Sequence, residues 1–514
     1  MEGMVGVRRT VSLLVSLTAA LVLAGGWALA ASPEDLDPSF DGDGRVVTDF
    51  SVPEEPHNEG ASDMIVQPDG KIVVGGYAQT GSSTDLALAR YNTDGSLDSS
   101  FDGDGKVTTD IDGGYESVAA LSLQSDGKIV VLGGGSLLRY NPDGSLDDTF
   151  GSAGKADIDF GADLAIQHDG KIVVGGSVLD EVNQHSDSPY DFALARYNPD
   201  GSLDTSFGEG GEVVTAGFSV SHVRALELQN DGKIVLAGMF EDDEDYTDFA
   251  LARYSPDGSL DDSFSGDGKM ITGLTGGDDI ASDVAVQPDG KIVVAGHADY
   301  WGAVLVRYNP DGSRDTVFEN ADVYGYGHLE IQDNGQLVAL HSNYRWYEQP
   351  WGVTRHNTGG GIDRSLSFNS GWGQDEYPEA NTMALQPEGK VVLAGTLKND
   401  NGSSDIALSR HLGAAFRDDT KPAGSVTIDG ARAITKTRTI ELTLEAEDPE
   451  PNGSGVFDMR IKNAGDDWNK WTAYERSKTW RLSVGGGSKR VHVQYKDLMG
   501  NVSATASDTI RYKP

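Results

Sequence analysis

Cysteine is absent from the 514 residues. Disulfide frameworks, thiolate metal sites, thiol nucleophiles and lipid attachment at a cysteine are therefore excluded. Basic residues are scarce: 40 Lys and Arg stand against 81 Asp and Glu, a formal net charge of −41. That balance argues against nucleic acid and anionic membranes as partners, because both need a basic face. No segment keeps a 3.6-residue apolar period, which argues against a helical solenoid. Beyond residue 30 no apolar run is long enough to span a bilayer. The acidic excess is uneven. Residues 418–514 carry 15 basic and 14 acidic side chains, so nearly all of it lies between 31 and 417.

Glycine is plentiful, at 66 residues, and implies many tight turns. At the N-terminus Arg8-Arg9 precedes an apolar run from Val11 to Leu29, closed by Ala28-Leu29-Ala30. A basic flank, an apolar centre and a small-x-small end read as a secretory signal over 1–30, cleaved near Ala30–Ala31. The alternative is an uncleaved anchor. Ser12 stands where a twin-arginine signal wants an apolar residue, so the general route is preferred. The mature chain is expected to be secreted or associated with the cell surface, monomeric, and without a membrane span.

The string Gln-x-Asp-Gly-Lys-Ile-Val-Val recurs, with its glycine at Gly70, Gly127, Gly170, Gly232, Gly290, Gly335 and Gly389. A second string, Ala-Leu-Ala-Arg-Tyr-Asn-Pro-Asp-Gly-Ser-Leu-Asp, follows each copy; its arginine is Arg90, Arg139, Arg196, Arg253, Arg307, Arg355 and Arg410. A third element, Asp-x-Ser-Phe with glycines and a β-rich run, occurs once before the first copy, at Phe40, and not after the last. Each repeat reads as four strands. In the fourth, Val223–Leu228 alternates, Asn230-Asp-Gly turns, Lys233–Gly238 is apolar, Phe249–Tyr254 follows, and Lys269–Thr272 closes the unit. Four strands at a period of about 50 residues predict an all-β, seven-bladed propeller over 31–417. The segment around Phe40 would supply the outer strand of the last blade.

These strings resemble the bacterial delta-60 repeats, which are assigned as a β-propeller of unknown function. The resemblance covers roughly 32–416 and weakens in the sixth unit, where Gln336 replaces Lys and Arg355-His-Asn-Thr-Gly-Gly-Gly replaces the usual turn. It implies no catalytic residues. After the linker Asp418–Ala423, seven short strands in 418–514 predict an immunoglobulin-like or fibronectin-like sandwich. Val491–Ser503 resembles the late strand and turn of Ig-like modules in bacterial surface proteins.

Several candidate features carry chemistry. Asp102-Gly-Asp104-Gly offers oxygen ligands at a sharp turn, so Ca²⁺ is a candidate at Asp102 and Asp104; no other cofactor is indicated. Asp and Gly also form such turns unaided. The repeated Arg, with the repeated Asp of the turn (Asp37, Asp98, Asp147, Asp204, Asp261, Asp315 and Asp363), reads as a structural Arg–carboxylate bond in every blade. No histidine cluster, nucleophile elbow or phosphate loop is present, and no catalytic residue is assigned. The sixth unit concentrates aromatics, and Tyr344, Trp346, Tyr347, Trp351 and Trp372 form the candidate ligand site. The same residues could instead fill the core of a degenerate blade. Turns between strands one and two, and three and four, are uniform, whereas the loops at the opposite end vary, so binding is expected at that variable end. The chain reads as an exported binding or scaffold protein for an extracellular glycan or protein. A secreted polysaccharide hydrolase or lyase and a purely structural surface protein are the alternatives.

Overall fold

Seven antiparallel sheets lie between residues 45 and 411 of the computed structural model, and no helix occurs among the described residues. The structure describes residues 36–50, 58–179, 190–216, 221–241, 246–298, 302–318, 326–332, 334–341, 352–369, 377–386, 389–399, 402–412, 421–447, 456–497 and 502–514. The first sheet runs Glu59–Val66, Ile72–Thr80, Ser83–Tyr91, Lys106–Thr109, each strand bonded to the next. The second (118–157), third (163–215), fourth (221–272) and sixth (326–369) repeat that order; the fifth (279–308) shows three strands among the described residues. The seventh takes Tyr377–Leu385, Val391–Lys398 and Ser404–His411 from its own repeat and Arg45–Thr48 from the N-terminal end. Val46 faces Leu408 and Thr48 faces Ile406. The first strand of each sheet touches the first strand of the next, and Tyr377–Leu385 touches Glu59–Val66. No helix of the described residues is long and apolar enough to cross a membrane.

The second strands open on apolar runs because sheets cover both faces: Ile234–Gly238 is wholly buried. The described first strands, apart from Asp163–Ile166, carry a bulge, a one-residue slip such as Ala61/Asp63, Val223/Ala225 or Ala380/Thr382. Opposite the bulge stands the repeated second-strand glycine. A Cβ at Gly238 would lie 1.9 Å from the His222 carbonyl, and at Gly395 1.7 Å from that of Glu379. The bulge therefore requires glycine there.

The arginine expected to be structural fastens the sheets. Arg253 is 2% exposed. Its Nε donates to Asp261 Oδ2 at 2.8 Å, its Nη1 to the Pro310 carbonyl of the next sheet at 2.6 Å, and its guanidinium lies 4.7 Å from the Phe264 ring centroid. Arg90, Arg139, Arg196 and Arg307 repeat the arrangement with Asp98, Asp147, Asp204 and Asp315. Arg410 finds its partners at the other end of the chain: Asp37, 373 residues away at 2.8 Å, and the Phe40 ring at 4.5 Å. It also donates to the Thr93 carbonyl of the first sheet. A buried tyrosine adds a second link. Tyr140, Tyr254 and Tyr308 hydrogen-bond Thr109, Thr215 and Thr272 on the outer strand of the preceding sheet, and Tyr91 donates to Thr48 at 2.7 Å. The N-terminal strand thus occupies the place that an outer strand holds elsewhere.

Residues 423–512 form two further sheets, one of three strands and one of five. Ile428, Leu442 and Leu444 from one, with Met459, Val493 and Tyr495 from the other, share a single core.

Candidate functional site

The uniform turns are built alike in every described copy. In the first, Gln67 N–H donates to the Lys71 carbonyl and Gly70 N–H to the Gln67 carbonyl, both at 2.8 Å. The variable ends differ in length and composition. Of the expected ligand residues there, Tyr344, Trp346, Tyr347, Trp351 and Trp372 all lie outside the described residues.

The variable end of the first and seventh sheets holds a cleft of about 570 Å³. It is lined by Asn58, Ala61 and Ser62 at the entry to the first strand, by Tyr77 and Gln79 of the second strand, and by Asn381 and Lys398 of the seventh sheet. Gly60 makes this possible, since a Cβ there would meet Thr396 Oγ1 at 2.6 Å and the Tyr77 ring at 2.9 Å. Asn381 Nδ2 donates to the Ala61 carbonyl at 2.8 Å, tying the seventh sheet to the first. Gln79 accepts from Asn58 N–H at 3.1 Å. Burial, with the nearby Glu379 carboxylate, pushes the Tyr77 hydroxyl above the usual tyrosine range. Tyr115 stands at the rim, 84% exposed. Among the described lining residues Glu379 is the one carboxylate, and Lys398 pairs with it. The described lining therefore offers neutral donors, acceptors and two tyrosine rings beside that ion pair. A second cleft of about 560 Å³, at the uniform end between the fourth and fifth sheets, is walled by repeat residues such as Asp231, Lys233, Asp289 and Pro310. The first cleft is lined mainly by side chains outside the shared strings, among them Tyr77, Gln79, Tyr115, Asn381 and Lys398.

A tier of carboxylates escaped the sequence reading. Asp63, Asp163 and Asp283 occupy matching places on the first strands of the first, third and fifth sheets. Each accepts a 2.7 Å bond from a backbone N–H of the following sheet, at Leu121, Leu226 and Leu329. The following sheets carry Ala120, Ala225 and His328 at that place. Burial and the neighbouring carboxylates push Asp163 up to about 7 and Glu227 up to about 8. Burial alone would lower His328, but Asp283 at 3.4 Å and Glu330 at 3.7 Å hold it up to about 9. The return of Asp at this place in the first, third and fifth repeats was the available signal. Its geometry is that of a clamp between paired sheets.

The calcium candidates behave as turn residues. Asp102 has φ of 49° and gives its N–H to the Asp143 carbonyl of the next sheet at 2.7 Å; Asp104 accepts from Lys106 N–H at 2.9 Å. Two sets of three acidic side chains do converge among the described residues, Asp49/Glu59/Asp405 and Asp85/Asp110/Glu116, and neither includes Asp102 or Asp104.

Five stretches, 67–101, 124–150, 167–207, 229–264 and 287–318, match a family described as "Domain of unknown function (DUF5122) beta-propeller". They cover the uniform turns and the Arg–Asp–Phe fasteners of the first five repeats, and support a propeller fold. No curated protein matches the chain. Similar solved structures include the extracellular domain of a one component system from B. thetaiotaomicron, 11% identical, covering 88% of this chain and 81% of that one, TM-score 0.22. Chaetomium thermophilum Sqt1 is 13% identical over 68% of this chain and 84% of its own, TM-score 0.39. A glucose dehydrogenase is 11% identical over 56% and 95%, TM-score 0.37.

Proposed function

We propose that this chain is an exported scaffold that binds an extracellular glycan or protein segment at the variable end of a seven-bladed propeller. In this reading the propeller spans 31–417, closed by its N-terminal strand, an Ig-like module spans 418–514, and residues 1–30 are the export signal. The protein works as a secreted or surface-associated monomer. The observation that carries the binding role is the cleft between the first and seventh sheets. Its described lining is neutral apart from one internal ion pair, and it presents Tyr77, Tyr115 and Asn381. Tyrosine rings offer flat apolar area with little entropy to lose, and amide side chains select hydroxyl or peptide groups. Trp346 and Trp351 are proposed as further anchors at the same end. A glycan and peptide array on the mature protein tests the reading. Binding that survives Tyr115→Ala and Asn381→Ala together rules this cleft out.

A second reading, a polysaccharide-acting hydrolase, draws on the raised Asp163 and Glu227, since strongly shifted carboxyls mark many active sites. Against it, both Asp163 oxygens already accept backbone N–H groups. Release of reducing ends from polysaccharides, abolished by Glu227→Gln, would establish it instead.

A further inference from the structure

The connection from the first sheet to the second, residues 110–116, reads Asp-Ile-Asp-Gly-Gly-Tyr-Glu. It lies beside the start of the Ser83–Tyr91 strand. Thr84 N–H donates to the Gly114 carbonyl at 3.3 Å, Glu116 N–H to the Thr84 carbonyl at 2.8 Å, and the Thr84 hydroxyl to the Glu116 carbonyl at 3.1 Å. This local pairing brings Asp85 beside the connection. Carboxylate oxygens of Asp85, Asp110 and Glu116 lie within 4.8 Å of one another. Asp112 is adjacent: it and Glu116 both accept from Gly114 N–H, at 3.1 and 3.0 Å.

The same place at two other junctions shows what a purely structural carboxylate looks like. Glu59 accepts Phe50 N–H with both oxygens, at 2.9 and 2.8 Å. Asp279 accepts from Leu274 N–H and Thr275 N–H on one oxygen and from the Thr275 hydroxyl on the other. Glu116 differs. It is 3% exposed, and only Oε1 is satisfied; Oε2 is buried and receives no hydrogen bond. A buried carboxylate oxygen without a donor, facing other carboxylates, is costly unless a cation or a proton is held there. Oxygens sharing one Ca²⁺ sit 2.3–2.6 Å from it, so a mutual spread of about 5 Å fits a common ion.

We propose that Asp85, Asp110 and Glu116 bind a calcium ion between the first and second sheets. The ligands are all hard oxygens, two of them from one short connection and Asp85 from the strand beside it. The ion supplies the partner that Glu116 Oε2 lacks and offsets the repulsion among these groups and the adjacent Asp112. Tyr115, between Gly114 and Glu116, lines the cleft described above, so calcium would set the backbone that presents it. This last consequence rests on the binding role of the cleft; the ion site does not.

The test uses the full mature protein, treated with chelator and titrated with CaCl₂ in about 150 mM salt to screen its acidic surface. Calorimetry should show one saturable site in the micromolar to millimolar range typical of calcium sites. Asp110→Asn, at an exposed position, and Glu116→Gln should each weaken it at least tenfold. Terbium bound at the site should luminesce on tyrosine excitation, and Tyr115→Ala should remove that signal while leaving the calcium heat. Asp405→Asn, in the set with Asp49 and Glu59, should change nothing. No saturable calcium heat in the native chain overturns the proposal and leaves a proton shared by Asp112 and Glu116. So does an unchanged affinity in both Asp110→Asn and Glu116→Gln, or a loss confined to Asp405→Asn. Equal competition by Mg²⁺ overturns calcium as the ion. Loss of array binding with intact calcium uptake refutes the cleft reading alone.

Discussion

Phe40→Ala measures how firmly the N-terminal segment holds the last sheet. Phe40 is fully buried and packs with Val46, Tyr91 and Leu408. Truncating such a ring costs about 3–5 kcal/mol. Of this, about 1 kcal/mol reflects the Arg410 guanidinium stacked at 4.5 Å. Phe207→Ala is the internal reference: it is equally buried, and Arg196 lies over it at the same 4.5 Å. The two differ in connectivity. Arg196 reaches its aspartate across 8 residues and Arg410 across 373. If the returning strand is held as tightly as the internal ones, the two variants lose equal stability within about 1 kcal/mol. Urea unfolding followed by far-ultraviolet circular dichroism gives both numbers. A loss below about 1 kcal/mol for Phe40→Ala, with the full loss for Phe207→Ala, would refute the idea that the terminal segment fastens the seventh sheet.

Stability should peak near pH 4–4.5 and fall on both sides. Asp163 and Glu59 at about 7 and Glu227 at about 8 keep protons that the unfolded chain has released, so they disfavour folding increasingly above about pH 4.5, and the His328 charge, held to about 9, is lost as pH rises further. The fastening aspartates are shifted down, Asp261 and Asp315 to about 2, so their contribution is present above about pH 4 and disappears below it. A melting temperature that is highest at pH 8 contradicts this assignment. Gly238→Ala should destabilise by about 1–3 kcal/mol or more, because its methyl group meets the bulge carbonyl; an unchanged urea midpoint shows that the bulge can move. Lys398→Ala should leave the melting temperature within about 1 °C, since the pair with Glu379 is exposed, while lowering affinity for any ligand found on the array; a large thermal loss instead makes the pair structural.

The blade plan was legible because it is local and repeated. The Asn230-Asp-Gly turn, the buried strand beginning Ile234 and the Arg253–Asp261 fastener all lie within one repeat. The orphan segment at Phe40 was legible by counting. What escaped depends on contacts between repeats. The cleft joins residues near 60, 80, 115, 380 and 400, and no spacing rule connects them. Asp163 shows its role only beside Leu226, on another sheet. Glu116 resembles any acidic turn residue until its two oxygens are compared with those of Glu59. The aromatic set from Tyr344 to Trp372 drew notice by density alone, and it falls outside the described residues.

The pairing of Arg45–Thr48 with Ser404–His411 also sets a schedule. Synthesis delivers about 5–20 residues per second, so the first strand waits tens of seconds for its partner. Until then it is an unpaired segment, and once the last repeat has formed, Ser404–His411 presents an unsatisfied edge. Any second copy of the chain carries the same strand at the same stage. Closing on itself and exchanging ends with a neighbour therefore satisfy the same hydrogen bonds, and the crowding of nascent chains decides between them.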